Sequence, residues 1–289
     1  MKNEKLILAT RKSPLAMRQA ELAAAFFREN HPGMEVEFLK MTTTGDKQKI
    51  WSLENKGGKG LFTKELEEAL LEGKADFAVH SAKDLPTEGV QDLEIAGYLP
   101  RESALDLMAF REDVREPRAI ATGSPRRRSQ AKLLYPRVCW SDIRGNVETR
   151  LKKIVRGDAD ATILADAGLR RLDIREYPGI GFRPFEVEEM VPAAGQGAIA
   201  LQCRRGDAEK YRASFCERTG VAVTVERTLL ERFGGGCHTA IGIHYDGKML
   251  HVFHENIGKI AKPLPLRRAG DTAEAADIFF NKYLEKTNG

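Results

Sequence analysis

Cysteine is scarce in this 289-residue chain, and the four present, Cys139, Cys203, Cys216 and Cys237, include no CxxC pair. That spacing points to neither a disulfide framework nor a zinc site, so free thiols are expected. Aromatic residues make up only 7% of the chain, and no stacking platform for single-stranded nucleic acid is apparent. Long apolar runs are missing too, with nothing approaching the roughly 18 residues of a membrane-spanning helix. The N-terminal apolar run, Leu6 to Ala9, is far shorter than the about 7 to 15 residues of a secretory h-region. A cytoplasmic protein with no membrane or nucleic-acid partner is expected. A net charge of +4 is too mild to indicate nucleic-acid binding, so what matters is where the arginines fall.

What is present is an ordinary globular composition, 42% hydrophobic and 30% charged, long enough for two or three domains at about 100 to 150 residues each. The first hundred residues alternate strand and helix signals, which predicts α/β layers on a largely parallel sheet. Leu6 to Thr10 reads as a strand; Ser13-Pro14 opens a helix with Leu15, Leu22 and Phe26 on one face, as N-cap and first-turn residues do. Val36 to Met41 and Phe77 to Val79 read as further strands, and Thr63 as the cap of the helix between them.

Much of this grammar recurs. Ala119 to Thr122 followed by Ser124-Pro125 repeats Leu8 to Thr10 followed by Ser13-Pro14, and Gly157-Asp158-Ala159-Asp160 repeats Gly73-Lys74-Ala75-Asp76. Two domains of related topology, with a cleft between them, are expected. The small-residue stretch Ala193-Ala194-Gly195-Gln196-Gly197 suits a crossover or hinge. A smaller unit follows Glu217. It has an apolar run at Val221 to Val225, a helix before Gly234, strands near Ile241 to His244 and Leu250 to Phe253, and a last helix opened by an Asp271/Glu274 capping box.

The candidate chemistry clusters at the helix starts. Arg11 lies beside Ser13, Arg126, Arg127 and Arg128 follow Ser124, and Asn146 caps a helix that brings Arg150 one turn from Arg144. A solvated basic face is one explanation of any single arginine. For a group of them gathered at helix N-termini, where the dipole disfavours cations, a bound polyanion explains more. Lys56 to Gly60 is a basic glycine loop without Walker spacing. Asp84, beside Lys83 at the end of a strand, is either a counter-ion or a carboxylate that stabilises a developing cation. Cys237 follows three glycines and precedes His238, a context for an accessible thiol rather than a core cysteine. His244, His251 and His254 read as strand and turn residues, and no metal site is expected.

Taken in order, Gly57 to Phe62, His80 to Pro86, Thr122-Gly123-Ser124-Pro125-Arg126-Arg127, Arg144-Gly145-Asn146-Val147, Pro192 to Ala198 and Gly235-Gly236-Cys237 resemble the successive motifs of porphobilinogen deaminases across nearly the whole chain. The resemblance implies an α/β fold of two type II periplasmic-binding-protein-like domains with an interdomain cleft, residues 1–99 with 194–216 and residues 100–193, plus a small α+β domain over 217–289. It implies a dipyrromethane cofactor joined covalently to Cys237, and stepwise condensation of four porphobilinogen molecules with release of ammonia and hydroxymethylbilane.

Carried over by motif, Asp84 is the catalytic carboxylate, and Lys83, Asp84, Ser124, Arg126, Arg127, Arg144 and Arg150 hold the cofactor and the growing oligopyrrole. Arg11, Ser13, Lys59, Phe62, Arg144, Arg150 and Arg171 receive substrate. Each pyrrole of that chemistry carries two carboxylates, which suits arginine. A monomer without metal or nucleotide is implied. The sequence departs from the family at Asn55, where a lysine is usual, with Lys56 one place later, and at Ala82 and Pro125. A non-catalytic two-lobed anion-binding protein is the alternative reading.

Overall fold

The computed structural model describes residues 5–44, 62–234, 240–266 and 269–284. In chain order these form β1 (Lys5–Arg11), α1 (Pro14–Asn30), β2 (Glu35–Met41), α2 (Lys64–Leu71), β3 (Phe77–Ser81) and β4 (Leu93–Tyr98). Next come β5 (Asp106–Arg111), β6 (Ala119–Ala121), α3 (Pro125–Leu134), β7 (Cys139–Ser141), α4 (Val147–Val155), β8 (Ala161–Ala165), α5 (Asp166–Arg171) and β9 (Ile180–Pro184). The remainder is β10 (Ile199–Arg204), α6 (Glu217–Arg232), β11 (Ile241–Tyr245), β12 (Met249–His254), β13 (Gly258–Pro263) and α7 (Thr272–Tyr283). The chain divides into two compact units, residues 1–101 with 198–221 and residues 102–197 with 222–289.

The first unit holds a five-stranded sheet of order β2-β1-β3-β10-β4, and the second one of order β7-β6-β8-β5-β9. In each, the three leading strands are parallel and a single antiparallel strand, β10 or β5, separates them from the last. The fold is therefore α/β with two lobes of one topology, that of the type II periplasmic binding proteins, and a small antiparallel sheet β11-β12-β13. Each lobe's sheet is mixed but largely parallel, as expected: four strands run one way, and only β10 or β5, which belongs to a connecting passage, enters from the opposite end.

The duplication extends to side chains. Asp76, just before β3, accepts a hydrogen bond from the Ile7 N–H (2.7 Å) and donates its own N–H to the Ile7 carbonyl (2.9 Å). Asp160, just before β8, accepts from the Arg118 and Ala119 N–H groups (2.8 and 3.0 Å) and donates its N–H to the Ala119 carbonyl (2.9 Å). In both lobes an aspartate thus fixes the start of the third strand against the first, where open-sheet backbone groups need partners.

Three expectations change in detail. On α1 the sheet-facing stripe is Ala16, Ala20, Ala23, Ala24 and Phe27, while Leu22 and Phe26 pack at its flank. Small side chains let the helix lie close to the sheet. Neither Thr63 nor Asp271 makes a side-chain cap bond, so the capping box is not formed; a 3-10 turn, Ala269–Asp271, leads into α7 instead. The run Val221 to Val225 lies inside α6, where packing outweighs its β-branched preference.

Candidate functional site

Parallel strands bring the loops at their C-terminal ends to one sheet edge, where open α/β sheets offer ligand sites. In the first unit that edge carries Arg11, Ser13 and the Ala82–Asp84 turn. Ser13 caps α1, its Oγ accepting from the Ala16 N–H (3.3 Å), with Pro14 in the first turn. The Arg11 guanidinium lies 4.3 Å from the centroid of Phe62, a cation–π contact. Gln19 on α1 donates to Ser81 Oγ (2.8 Å), tying the helix to the end of β3. Ala82 is buried and donates its N–H to the Ala198 carbonyl (3.0 Å), which leaves Lys83 half-buried and Asp84 exposed. Beneath them His80 is buried with Nε2 3.0 Å from Gln202 Oε1. Burial pushes its pKa down to about 4 against the favourable Gln202 bond, and the Arg11 charge adds to the lowering. The imidazole is neutral.

In the second unit the corresponding edge carries Ser124, Arg144, Arg150 and Arg171. Ser124 caps α3, accepting from the Arg127 N–H (3.4 Å), and Asn146 caps α4, accepting from the Thr149 N–H (2.8 Å). A Cβ on Gly123 would come within 3.3 Å of the Arg144 guanidinium carbon; with glycine there, that charge lies flat against the entry to α3. Arg150 Nε donates to the Gly145 carbonyl (2.8 Å), so both arginines frame one turn. Arg171 donates to the Gly197 carbonyl (2.7 Å). Burial lowers its pKa to about 10, partly offset by Glu102, so it stays charged at neutral pH.

Arg126 and Arg127 turn the other way. Both are buried, and both pair with the fully buried Asp106: Arg126 Nη1 at 2.7 Å from Oδ2, Arg127 Nε and Nη2 at 3.0 and 2.7 Å from Oδ1. Arg126 also donates to the Val191 carbonyl (2.7 Å) and Arg127 to the Ile163 carbonyl (2.9 Å). Gln196 donates to Asp106 Oδ1 (3.0 Å) and to the Ala104 carbonyl (2.7 Å). Arg128 is ion-paired with Asp142 and donates to the Thr122 carbonyl (2.8 Å). Each of these three cations thus has a carboxylate of the chain as a partner, Arg126 and Arg127 sharing Asp106 and Arg128 taking Asp142. Arg144 makes no ion pair among the described residues.

Asp106, Gln130, Gln196 and Glu226 are site-supporting residues that the residue patterns left without a role. Fully buried Glu226 accepts from the Gly195 N–H (2.7 Å) and the Tyr245 N–H (2.9 Å). A charged residue opening an apolar run, as Asp106 does before Leu107, Met108 and Ala109, is the one sequence signal that could have pointed to such a role. Lys59 and Cys237 lie outside the described residues. Of the other cysteines, Cys203 is buried, which raises its thiol pKa to about 12; Cys216 is half-buried and Cys139 exposed. No helix among the described residues is long and apolar enough to cross a membrane, and none of their His, Cys, Asp and Glu side chains form a group of three or more able to hold a metal ion.

Lobe by lobe, these features define a two-lobed α/β protein with basic strand ends. Residues 6–212 match the family model described as porphobilinogen deaminase, dipyromethane cofactor binding domain. The porphobilinogen deaminase of Sulfurimonas denitrificans is 40% identical over 249 residues, 83% of this chain and 79% of that protein. That of Coxiella burnetii is 37% identical over 290 residues, 97% of this chain and 93% of that protein. The chain belongs to the porphobilinogen deaminase family. It is an enzyme, a transferase of the hydroxymethylbilane synthase type with a dipyrromethane cofactor. Nothing in these matches supports the non-catalytic alternative. Among solved structures, the BvgS periplasmic VFT2 domain of Bordetella pertussis aligns with TM-score 0.42 and 16% identity over 73% of this chain and 86% of that one. The BenM effector binding domain with benzoate aligns with TM-score 0.43 and 12% identity over 80% of this chain and 94% of that one.

The residues fit the cofactor's chemistry: a carboxylate-bearing pyrrole pair needs fixed cations and helix N–H groups, and Arg144 over Gly123 beside the Ser124 cap provides both.

Proposed function

We propose that this chain assembles hydroxymethylbilane from four porphobilinogen molecules on a dipyrromethane primer bonded to Cys237, with Asp84 as the catalytic carboxylate. The observation that carries the proposal is the ordered set of motifs running through a chain whose residues 6–212 match the family model. The bound dipyrromethane supplies the pyrrole carbon on which the chain starts. Arg144, Arg150, Ser124 and Lys83 hold pyrrole carboxylates through charge-assisted bonds, with Arg126 and Arg127 as the cations behind them. Arg11, Ser13, Lys59, Phe62 and Arg171 receive the incoming porphobilinogen together with Arg144 and Arg150.

Asp84 is exposed at the end of a short turn, so it can approach substrate without reorganising a core. As ammonia leaves a porphobilinogen, positive charge spreads over its pyrrole, and a fixed carboxylate stabilises that charge through the pyrrole N–H. Neutral His80 adds no competing cation. A division of the chain into residues 1–99 with 194–216, 100–193 and 217–289 is part of the same reading, the last segment carrying the cofactor cysteine. So are a monomeric state, a cytoplasmic location and the absence of a nucleic-acid partner. Intact mass of the purified protein tests the reading: the added mass of dipyrromethane should be present, and Cys237→Ser should remove it. A Cys237→Ser protein that kept the mass would overturn the assignment.

A further inference from the structure

Val191 is gripped from both sides of its own peptide. Its N–H donates to Gln130 Oε1 (2.8 Å), and its carbonyl accepts from Gln130 Nε2 (3.0 Å) and Arg126 Nη1 (2.7 Å). The opposite face of this peptide is covered by β11, where the Pro192 carbonyl accepts from the Ile243 N–H (2.8 Å) and Val191 packs with Ala240 and Phe253. The contact is too close for a side chain. A Cβ on Gly242 would lie 2.5 Å from the Val191 carbonyl oxygen and 3.0 Å from its Cβ. Backbone cannot yield there as a flexible side-chain tip would, because moving Val191 breaks three hydrogen bonds at once.

The geometry points to Gly242 as a positioning residue for cofactor attachment: by admitting the Val191 peptide, it sets β11 in register with the Arg126 end of α3. β11 begins at Ile241, four residues after Cys237, so its seat fixes one end of the segment that carries the thiol. The sequence offers only an unremarked glycine between Ile241 and Ile243. Glycine inside a strand otherwise weakens it, and marks a site of close backbone approach. The φ of Gly242 is not in the left-handed region, so approach, not conformational freedom, is the requirement. The inference rests on Cys237 as the attachment point.

The test compares Gly242→Ala with Gly89→Ala, whose added Cβ would meet nothing within 4 Å. Dipyrromethane content is read by intact mass during expression, as the fraction loaded against time. Stability is read separately in the Cys237→Ser background, where the cofactor cannot contribute. Gly242→Ala should slow loading by about tenfold or more while its Cys237→Ser form still unfolds cooperatively; Gly89→Ala should load normally. Should Gly242→Ala fail to fold, Gln130→Met releases the same Val191 peptide without touching β11 and should slow loading likewise. Normal loading in either folded variant, or the same slowing in Gly89→Ala, overturns the proposal. Retention of the added mass in Cys237→Ser alone would instead overturn the attachment point on which it rests.

Discussion

The two lobes begin alike and end up doing different things with their arginines. In the first, Ser13-Pro14 opens α1 and the neighbouring Arg11 lies over the ring of Phe62. In the second, Ser124-Pro125 opens α3 in the same way, yet Arg126 and Arg127 turn inward onto Asp106. The backbone was duplicated and the electrostatics were not. A buried carboxylate flanked by two guanidiniums, each also bonded to a backbone carbonyl, keeps charge in a core only because every partner is present. The next turns of the second lobe carry Arg144, against Gly123, and Arg150, bonded to the Gly145 carbonyl. Arginines at a helix start therefore do not by themselves mark an anion site; the carboxylate nearest them in space has to be found first.

The largest effect is expected where the comparison has no counterpart at all, at Cys237. Cys237→Ser should abolish both the added mass and turnover, while Cys139→Ser and Cys216→Ser should keep both. Cys203→Ala should do likewise, since burial holds that thiol protonated. Asp84 comes next. Asp84→Asn should slow single-turnover ammonia release by about 10²-fold or more in protein of verified cofactor content, and Asp84→Glu should retain more activity, because the charge survives although displaced. Near-normal release from the Asn variant would leave Asp84 as a counter-ion of Lys83.

The arginines test the comparison directly. Arg126→Leu and Arg127→Leu each break a buried pair and should cost about 3 to 5 kcal/mol of stability, measured by urea unfolding in the Cys237→Ser background. Arg144→Leu should leave stability within about 0.5 kcal/mol and instead stall chain growth, read by mass as accumulated short oligopyrroles. Equal stability losses at Arg127 and Arg144 would erase the distinction between the two sets. Impaired cofactor loading is expected of all three, for different reasons.

What could be read in the sequence is what is local. The Ser-Pro helix starts, the Asn146 cap and the Ala-Asp steps before β3 and β8 each depend on residues a few positions apart, and all are found in the structure. What could not be read is set by distance along the chain. Asp106 meets Arg127 across 21 residues, Glu226 meets Gly195 across 31, and β10 joins β3 only after the second lobe's sheet has been built. β13 gave little signal because Gly-Lys-Ile-Ala-Lys-Pro has a single large apolar side chain and is mostly exposed, with lysines as suit a sheet edge. The Ser13 cap at the first lobe's strand ends was legible, whereas the buried pair beside it, His80 with Gln202, was not, since a histidine in a motif gives no sign of its burial.

That pair carries the smallest effect, and its sign can be worked out. The His80 pKa falls from the ordinary 6.5 to about 4 because burial penalises the imidazolium. Between those values the unfolded chain binds a proton that the folded chain refuses, so folding becomes less favourable as pH falls through the window. The contribution is fully present above pH 6.5 and is lost by about pH 4, up to about 3 kcal/mol over the window. Glu67 acts in the opposite sense, its pKa raised mainly by burial against hydrogen bonds from Gln202 and Thr63, and it is common to both chains compared. His80→Gln keeps an N–H for Gln202 but cannot titrate. Urea unfolding of the two proteins at intervals from pH 7 to pH 4.5 should show the difference in stability shifting in favour of the Gln variant as pH falls. Parallel pH profiles would mean that the imidazole accepts its proton in the folded state, and would remove the neutral His80 from beneath the Asp84 turn.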